Sequence, residues 1–381
     1  MKVTVAVDSF KGSLTTFQIA KAIGEGIKRV YADAEIFTCP MADGGEGTAE
    51  AVTGALGGQM TSVTVTGPLG KPVTAQYGYV KEKGLAVVEM SSAAGITLVT
   101  EQERNPLFTT TYGVGEIILD AISKGCRSFL VGIGGSATND GGAGMLQALG
   151  FELVDKDGNS IARGARGLEN LAQIKTEKAC AELKECTFKV ACDVKNPLCG
   201  DNGCSKVFAP QKGADEEMIK NMDKWLLSYA SKVKEVFPRA DENCEGAGAA
   251  GGMGFALMSF LGARLVSGVE LVMKETGLEE YIKKSDIVVT GEGRLDGQTA
   301  MGKAPSGVAS LAKKHSRPVI AFSGAVTDEA VKCNQHGIDA FFPILRKVCT
   351  LDEAMDIDNA YKNGADTAEQ VFRLVRCFGI K

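Results

Sequence analysis

The sequence predicts a protein of the α/β class, in which a parallel-sheet domain is interrupted by a second, mixed α/β domain. Apolar β-branched runs alternate with helical patterns at both ends of the chain. In the middle, shorter runs separated by turn residues resemble antiparallel strands. Glycine supplies 47 of the 381 residues, about 12% against a typical 7%. Much of this glycine lies between a predicted strand and the next predicted helix.

The N-terminal elements alternate strand and helix. Residues 3–7 predict a strand, and a helix is predicted from about Thr15, which forms a capping box with Gln18. Apolar residues recur every three or four positions along one face of that helix. A short strand is predicted over residues 34–39, followed by a glycine-rich loop over 42–48 and a further helix.

The C-terminal third repeats this order. Strands are predicted at residues 286–290, 318–322 and 338–343, with a glycine-rich loop over 291–297 and a helix over 303–314. Apolar strands alternating with helices predict a flavodoxin-like or Rossmann-like parallel sheet covered on both faces. Because ligands bind at the carboxyl ends of such strands, we expect the loops that begin at Asp8, Asp43 and Gly291 to converge on one site.

The middle of the chain is organised differently. Antiparallel strands are predicted at residues 62–66, 73–80 and 85–90, and a long helix over 216–236. Further strands are predicted at 129–133 and 188–191. We therefore predict a discontinuous parallel domain of residues 1–67 and 281–381, and an inserted mixed domain of residues 68–280, with the active site in the cleft.

Composition excludes several classes of function. The formal charge of −5 argues against a nucleic-acid partner. His315 and His336 are the only histidines, which leaves little room for a catalytic triad or a multi-histidine metal site. Residues 246–263 carry no charge, but their glycines favour a loop and a buried helix over a membrane span. Without a signal-peptide pattern after Met1, we expect a cytoplasmic protein with reduced thiols, no membrane partner, and a monomeric or homodimeric state.

One glycine-rich motif suggests a dinucleotide-binding site. Residues 132–137 (GIGGSA) follow a predicted strand, and Asp155 lies near the spacing of a ribose-binding acid. A nicotinamide-dependent oxidoreductase is therefore one interpretation. Against it, the glycines at 141, 142 and 144 would weaken the helix that this motif requires.

Several glycine-rich loops also carry acidic, basic or amide side chains. Bare backbone N–H groups next to carboxylates suit Mg²⁺ and a polyphosphate together. The residues concerned are Asp8, Lys11, Asp43, Glu46, Asn139, Asp140, Asp193, Asn196, Glu292, Arg294 and Asp296. This pattern favours phosphoryl transfer. A non-catalytic sensor of sugar acids remains a third interpretation, although it gives no reason for so many acid-bearing loops.

Five motifs resemble those of the bacterial glycerate kinases of the first type. They are residues 7–13 (VDSFKGS), 42–48 (ADGGEGT), 132–142 (GIGGSATNDGG), 192–198 (CDVKNPL) and 290–296 (TGEGRLD). The resemblance runs along the whole chain. It implies a two-domain α/β enzyme that transfers the γ-phosphoryl group of ATP to D-glycerate. Most members of this type are thought to make 2-phosphoglycerate, and some are described as making 3-phosphoglycerate.

Residue roles follow as hypotheses from the chemistry of a small anionic alcohol. A carboxylate must accept the hydroxyl proton, and Asp193 is the first choice and Asp8 the second. Lys11 completes the catalytic set, and Arg294 suits the substrate carboxylate. Asp43 and Asp296 are candidate Mg²⁺ ligands. Further candidates are Asn196 and Asp140 for the substrate, and Gly44, Gly45, Gly134, Gly135, Ser136, Asn139 and Glu292 for the nucleotide and its phosphates.

Overall fold

The computed structural model describes residues 1–379. Contacts between Cα atoms divide the chain into two compact units. The first comprises Met1–Asp43, Gly54–Leu56 and Val269–Lys381, and the second comprises Gly44–Thr53 and Gly57–Gly268. The domain boundaries predicted near residues 67 and 280 differ from these limits, and the assignment of domains remains a prediction.

Strands and helices are numbered in chain order. The strands are β1 Lys2–Val7, β2 Glu35–Thr38, β3 Gln59–Thr66, β4 Pro72–Val80, β5 Leu85–Glu89, β6 Ser128–Gly132, β7 Glu152–Val154, β8 Gln173–Lys175, β9 Thr187–Ala191, β10 Arg264–Val266, β11 Ile287–Leu295, β12 Val319–Val326 and β13 Ala340–Pro343. The α-helices are α1 Thr16–Lys28, α2 Thr48–Ala55, α3 Ser91–Ala94, α4 Tyr112–Ser123, α5 Ala143–Ala148, α6 Cys204–Phe208, α7 Glu216–Val236, α8 Ala249–Leu261, α9 Gly268–Glu275, α10 Leu278–Lys284, α11 Ala304–Lys314, α12 Lys332–Gln335, α13 Leu351–Met355 and α14 Ile357–Cys377.

The first unit contains a parallel sheet in the order β13-β12-β11-β1-β2. Every pairing in it is parallel, which confirms the prediction for the two ends of the chain. Counted within this unit, the strand order is the 2-1-3-4-5 order of flavodoxin-like sheets, in which ligands bind where the order reverses. That position lies at the carboxyl ends of β1 and β11.

Helix α1 follows from its sequence. Thr15 and Gln18 form the predicted capping box, because each side chain accepts a hydrogen bond from the other residue's backbone N–H. Ile19, Ile23 and Ile27 are buried in the core of the first unit. The capped start and the apolar face hold the chain between β1 and β2 in one place, and this fixes the loop that carries Asp8 and Lys11.

The second unit is built on a mixed sheet in the order β10-β9-β6-β5-β4-β3. The β3-β4 and β4-β5 pairs are antiparallel, as predicted, and the pairs joining β5, β6, β9 and β10 are parallel. A separate two-stranded sheet joins β7 and β8. The loops that follow β6 and β9 therefore leave the same edge of the sheet.

Two elements differ from their sequence predictions. Strand β11 continues to Leu295, so the loop predicted to begin at Gly291 is wrong for its first five residues. Glu292 and Arg294 pair in register with Ser323 and Ala325 of β12, and this pairing overrides the low strand propensity of glycine. Strand β3 lies before the predicted boundary near residue 67, yet it pairs with β4 in the second unit.

The uncharged segment of residues 246–263 is a glycine-rich turn that leads into a buried helix. Gly251 and Gly252 have positive φ values, and a Cβ on Gly251 would lie 2.2 Å from the carbonyl oxygen of Thr138. The glycines therefore allow backbone to pack directly on backbone. Over residues 1–379, none of the helices combines the length and apolar character that crossing a membrane requires.

Candidate active site

A pocket of about 480 Å³ lies at the carboxyl ends of the strands in the first unit. Asp8 directly follows β1, Asp43 follows β2, and Glu292 and Arg294 belong to the end of β11. Lys11 also lines this pocket. The predicted convergence of the three loops is therefore found within this unit.

Asp8 is the most deeply placed acid of this pocket, with 5% of its surface exposed. Its N–H donates to the carbonyl oxygen of Gly291 at 2.8 Å, and its Oδ1 accepts from the N–H of Ser9 at 2.6 Å. Burial raises the pKa of the Asp8 carboxyl to about 7, with a further increase from the charge of Asp43. A carboxylate with a pKa near neutral pH is suited to accept a proton during catalysis.

Cationic side chains of the same pocket are largely exposed. Lys11 Nζ lies 3.4 Å from Asp43 Oδ2, and its side chain is 55% exposed. Arg294 is 67% exposed, and its Nε lies 3.8 Å from Asp296 Oδ2. Exposed ion pairs of this length contribute little to stability. The ion pair of Arg294 is therefore weak enough for its guanidinium to turn toward an anionic substrate at small cost.

Glu292 and Asp296 are held by short local contacts. Glu292 Oε1 accepts from the hydroxyl of Thr299 at 2.6 Å, and burial is the main reason why the pKa of Glu292 is raised. Asp296 Oδ1 accepts from the N–H groups of Gln298 at 2.9 Å and Thr299 at 3.3 Å. Lys303 Nζ lies 3.8 Å from Glu292 and 3.9 Å from Asp296. Asp296 thus shapes the turn after β11 as well as lining the pocket.

The acids of this pocket fit a divalent cation that is bound mainly by phosphate and water. Asp43 and Glu292 both raise the pKa of Asp8, and Asp43 and Asp296 raise that of Glu292, so the negative charges repel one another. A bound cation would relieve this repulsion. Across residues 1–379, no three acidic, histidine or cysteine side chains are arranged to enclose a metal ion. Mg²⁺ commonly uses one or two carboxylates with water and substrate phosphate.

Glycines bring three loops of the second unit into close contact. A Cβ on Gly44, whose φ is +85°, would lie 2.7 Å from the Cβ of Ala191. A Cβ on Gly132 would lie 2.6 Å from the carbonyl oxygen of Gly44, and one on Gly134 would lie 3.4 Å from the Cα of Gly45. A side chain would clash at Gly44 and Gly132, whereas at Gly134 a Cβ would lie at ordinary van der Waals distance. Glycine-rich backbone of this kind is typical of loops that bind anions.

Lys212 is a residue that the sequence analysis did not identify. It is 2% exposed, and its Nζ donates to Ser136 Oγ at 2.8 Å and to the carbonyl oxygen of Thr138 at 2.6 Å. Burial lowers the pKa of Lys212 to about 8. Its neighbours in sequence form an ordinary turn, and its partners lie more than 70 residues earlier, so no local signal marks it.

Asn139 and Asp140, predicted to contact nucleotide and substrate, have no exposed surface. Asp140 accepts hydrogen bonds from the N–H and hydroxyl of Thr111, both at 2.9 Å, and from the N–H groups of Gly142 and Gly144. Asn139 Nδ2 donates to Ser205 Oγ at 2.8 Å. Both residues hold the loop after β6, and their contacts with nucleotide and substrate stay predictions.

Asp193 and Asn196 lie in the loop after β9, in the second unit. Asp193 is exposed, and its Oδ1 accepts from the N–H of Gly268, the first residue of α9, at 3.1 Å. Asn196 Nδ2 donates to the carbonyl oxygen of Asn202 at 2.8 Å. Both positions are compatible with contact to a substrate, and their roles stay predictions.

The dinucleotide interpretation does not fit the structure. The motif at residues 132–137 follows β6, but the next helix in the sequence begins only at Ala143, so five residues separate it from the motif, whereas the fingerprint requires the helix to start within the motif. Asp155 accepts from the N–H groups of Asp157 and Asn159, both at 2.9 Å, as in a surface turn. The motif thus lacks the strand–turn–helix arrangement that binds a pyrophosphate.

Comparisons with known proteins agree on one family. The sequence profile of the glycerate kinase family matches residues 3–376. A glycerate 2-kinase of Escherichia coli is 48% identical over 363 residues, 95% of each chain. A glycerate kinase of Halalkalibacterium halodurans is 45% identical over 93% of each chain. The crystal structure of a putative glycerate kinase 2 from Salmonella typhimurium superposes with a TM-score of 0.91 at 45% identity, covering 99% of this chain and 98% of that one.

Proposed function

This chain belongs to the glycerate kinase family and is an enzyme, and from that premise we propose that it transfers the γ-phosphoryl group of ATP to the 2-hydroxyl of D-glycerate. The products are then ADP and 2-phosphoglycerate. The observation that carries the proposal is the pocket of the first unit, where Asp8, Asp43 and Glu292 lie beside Lys11 and Arg294. Carboxylates and cations in one pocket suit a reaction between an anionic alcohol and a polyphosphate.

Asp8 is the proposed acceptor of the hydroxyl proton. As the hydroxyl oxygen of glycerate bonds to the γ-phosphorus, the bond between that phosphorus and the β,γ-bridging oxygen breaks, and the hydroxyl proton passes to Asp8. The pKa of about 7 lets Asp8 be ionised at neutral pH and still hold the proton afterwards. Asp193, the first choice from sequence, is exposed, whereas Asp8 is buried.

Two variants separate these candidates. Asp8→Asn is expected to lower kcat by at least about a hundredfold, because it removes the proton acceptor. Asp193→Asn is expected to lower kcat by less than about tenfold. A larger loss of kcat in Asp193→Asn than in Asp8→Asn would identify Asp193 as the proton acceptor. Circular dichroism of both variants would establish that the folded state is retained.

Arg294 is proposed to bind the carboxylate of glycerate, since a guanidinium offers two parallel N–H donors to a carboxylate. Lys11 is proposed to contact the transferring phosphoryl group. Asp43 and Asp296 would hold Mg²⁺, with Glu292 interacting electrostatically with both. When bound, Mg²⁺ would neutralise the negative charge on the phosphates. Gly44, Gly45, Gly134, Gly135 and Ser136 are proposed to contact phosphate through backbone and hydroxyl groups.

Incubation of the purified protein with MgATP and D-glycerate, followed by phosphorus NMR, tests the proposal. A resonance of 2-phosphoglycerate would support both the reaction and the hydroxyl chosen. A resonance of 3-phosphoglycerate would keep the kinase and overturn the choice of hydroxyl. Absence of any phosphorylated glycerate would overturn the proposal. A change in nicotinamide absorbance, or binding of glycerate without turnover, would then favour the oxidoreductase or the sensor.

A further inference from the structure

Lys212 is an ammonium group buried against neutral oxygens. It ends the 3₁₀ turn Pro210–Lys212, and Gly213 follows it with a φ of +91°. Its two hydrogen-bond acceptors are the hydroxyl oxygen of Ser136 and a backbone carbonyl. The titratable groups that act on its pKa are the thiol of Cys204 and the carboxyl of Asp140, and the hydrogen bonds of the ammonium go to Ser136 and Thr138 instead.

Burial of this kind does not favour folding. An ammonium without a charged hydrogen-bonding partner loses its hydration, and the loss is only partly replaced by two neutral acceptors. An apolar side chain of similar length would fill the same space without that loss. The presence of a lysine therefore points to a function for its charge or its hydrogen bonds.

The ammonium determines the direction of the Ser136 hydroxyl. A lysine ammonium only donates, so Ser136 Oγ accepts from Lys212 and its own proton points elsewhere. Among residues 1–379, Lys212 is the one hydrogen-bond partner that the structure gives this oxygen. Accepting from a charged donor also makes the hydroxyl a stronger donor, because hydrogen bonds in a chain polarise one another.

The loop that carries Ser136 is open just before it. Gly134 and Gly135 are exposed, and Gly135 has a φ of +69°. Ser136 itself is at the edge of the buried region, with 9% of its surface exposed. The N–H of Ala137 donates to Ala94, and the hydroxyl of Thr109 donates to the carbonyl of Ala137 at 2.8 Å. The loop is thus anchored at the residue that follows Ser136 and accessible at the two residues that precede it.

We propose that Lys212 is a positioning residue for phosphoryl transfer, which fixes the Ser136 hydroxyl as a donor to an oxygen of the nucleotide phosphates. This inference rests on the proposed function, in which the loop of residues 134–136 contacts phosphate. Lys212 itself touches neither substrate. It acts through Ser136 and through the carbonyl of Thr138, which it holds in place.

Steady-state kinetics of Lys212→Met, Ser136→Ala and the double variant test the inference. Each single variant is expected to raise KM for ATP, or to lower kcat at saturating ATP, by about tenfold, with KM for D-glycerate changed less than about twofold. The double variant is expected to lose no more than the worse single variant, because both changes remove one interaction. Lys206→Met, a change of an exposed lysine nearby in sequence, is the matched control and is expected to behave as wild type.

Independent losses in the double variant would overturn the inference, as would wild-type kinetics of Lys212→Met. Urea unfolding separates a positioning role from a structural one, because Lys212→Met is expected to be as stable as wild type or more so. Calorimetric binding of a non-hydrolysable ATP analogue provides a readout that does not depend on turnover, with an expected loss of about tenfold in affinity.

Should Lys212→Met fail to fold, Ser136→Ala still decides the question. It is a small change at the edge of the buried region, and unchanged ATP kinetics in Ser136→Ala would overturn the inference. The wild-type assay with D-glycerate tests the proposed function separately. An active wild type with an unaffected Lys212→Met would refute only the role of Lys212.

Discussion

Asp8→Asn is expected to stabilise the folded protein while it lowers kcat by at least about a hundredfold. In the native state the pKa of Asp8 is raised from 3.8 to about 7, chiefly by burial. The folded protein therefore favours the protonated carboxyl, and ionising it opposes folding. An asparagine resembles the protonated form, and its Oδ1 still accepts from the N–H of Ser9. The substitution thus removes an unfavourable charge and keeps the local hydrogen bond.

The size of the change in the free energy of unfolding follows from the pKa shift of Asp8. At about 1.4 kcal/mol per pKa unit, a change from 3.8 to about 7 corresponds to about 4 kcal/mol. This value is an upper limit, because asparagine does not reproduce the carboxyl group fully. An increase of about 2–4 kcal/mol in the free energy of unfolding is therefore expected at pH 8.

The direction of the pKa shift determines how the stability of the wild-type protein changes with pH. Because the folded-state pKa lies above the unfolded-state value, wild type loses stability as the pH rises from about 4 to about 7. Below about pH 4, Asp8 is protonated in both states and the two proteins are expected to be equally stable. The difference in the free energy of unfolding between wild type and Asp8→Asn should grow from about pH 4 to about pH 7 and stay constant at higher pH.

Urea unfolding followed by circular dichroism at a series of pH values, in EDTA, measures this difference. Asp33→Asn removes an exposed carboxylate from the same unit and controls for the change in net charge. A difference between wild type and Asp8→Asn that does not change with pH would refute the reasoning. So would a variant that is less stable than wild type at pH 8.

Three further substitutions have defined outcomes. Arg294→Lys is expected to raise KM for D-glycerate by at least about tenfold and KM for ATP by less than about twofold, and equal effects would exclude a carboxylate-binding role. Gly44→Ala places a Cβ 2.7 Å from that of Ala191 at a φ of +85°, and a loss of about 1–3 kcal/mol is expected in urea unfolding. Gly158→Ala, with a φ of +83° and open space, is its control, and an equal loss there would assign the cost to φ alone. Asp140→Asn is expected to cost about 1–3 kcal/mol, because an amide N–H₂ would face N–H donors, and unchanged or increased stability would contradict the assigned hydrogen bonds.

Local sequence signals predicted the elements whose ends are determined locally. Helix α1 begins at its capping box, and α7 covers the predicted residues 216–236 because Asp215 caps it and its apolar face is regular. Strand β11 was predicted too short because its end is determined by pairing with another strand and not by its own sequence. Its last five residues include two glycines, and they are extended because β12 lies beside them. That pairing depends on a strand about 30 residues away, which local propensity does not report.

The candidate site also contains residues that local sequence signals identified and residues that depend on distant contacts. Position at the carboxyl end of a strand was enough to group Asp8, Asp43 and Glu292, because the parallel sheet brings such ends together. Motif membership did not distinguish residues that face the pocket from residues that hold a loop. Lys212 was missed altogether, since its contacts with Ser136 and Thr138 join distant parts of the chain.

Asp8 and Asp140 show what separates a candidate catalytic acid from a structural one when both are buried in glycine-rich loops. Asp140 has no exposed surface and accepts four hydrogen bonds from backbone and hydroxyl donors, which occupy its carboxylate oxygens. Asp8 lies among other carboxylates, and within residues 1–379 its carboxyl accepts one backbone hydrogen bond, from the N–H of Ser9. Burial raises the pKa of both carboxyls, so the difference between the two sites lies in their hydrogen-bond donors and not in the direction of the pKa shift. A buried acid that lines a pocket and has few hydrogen-bond donors is the one to which chemistry should be assigned.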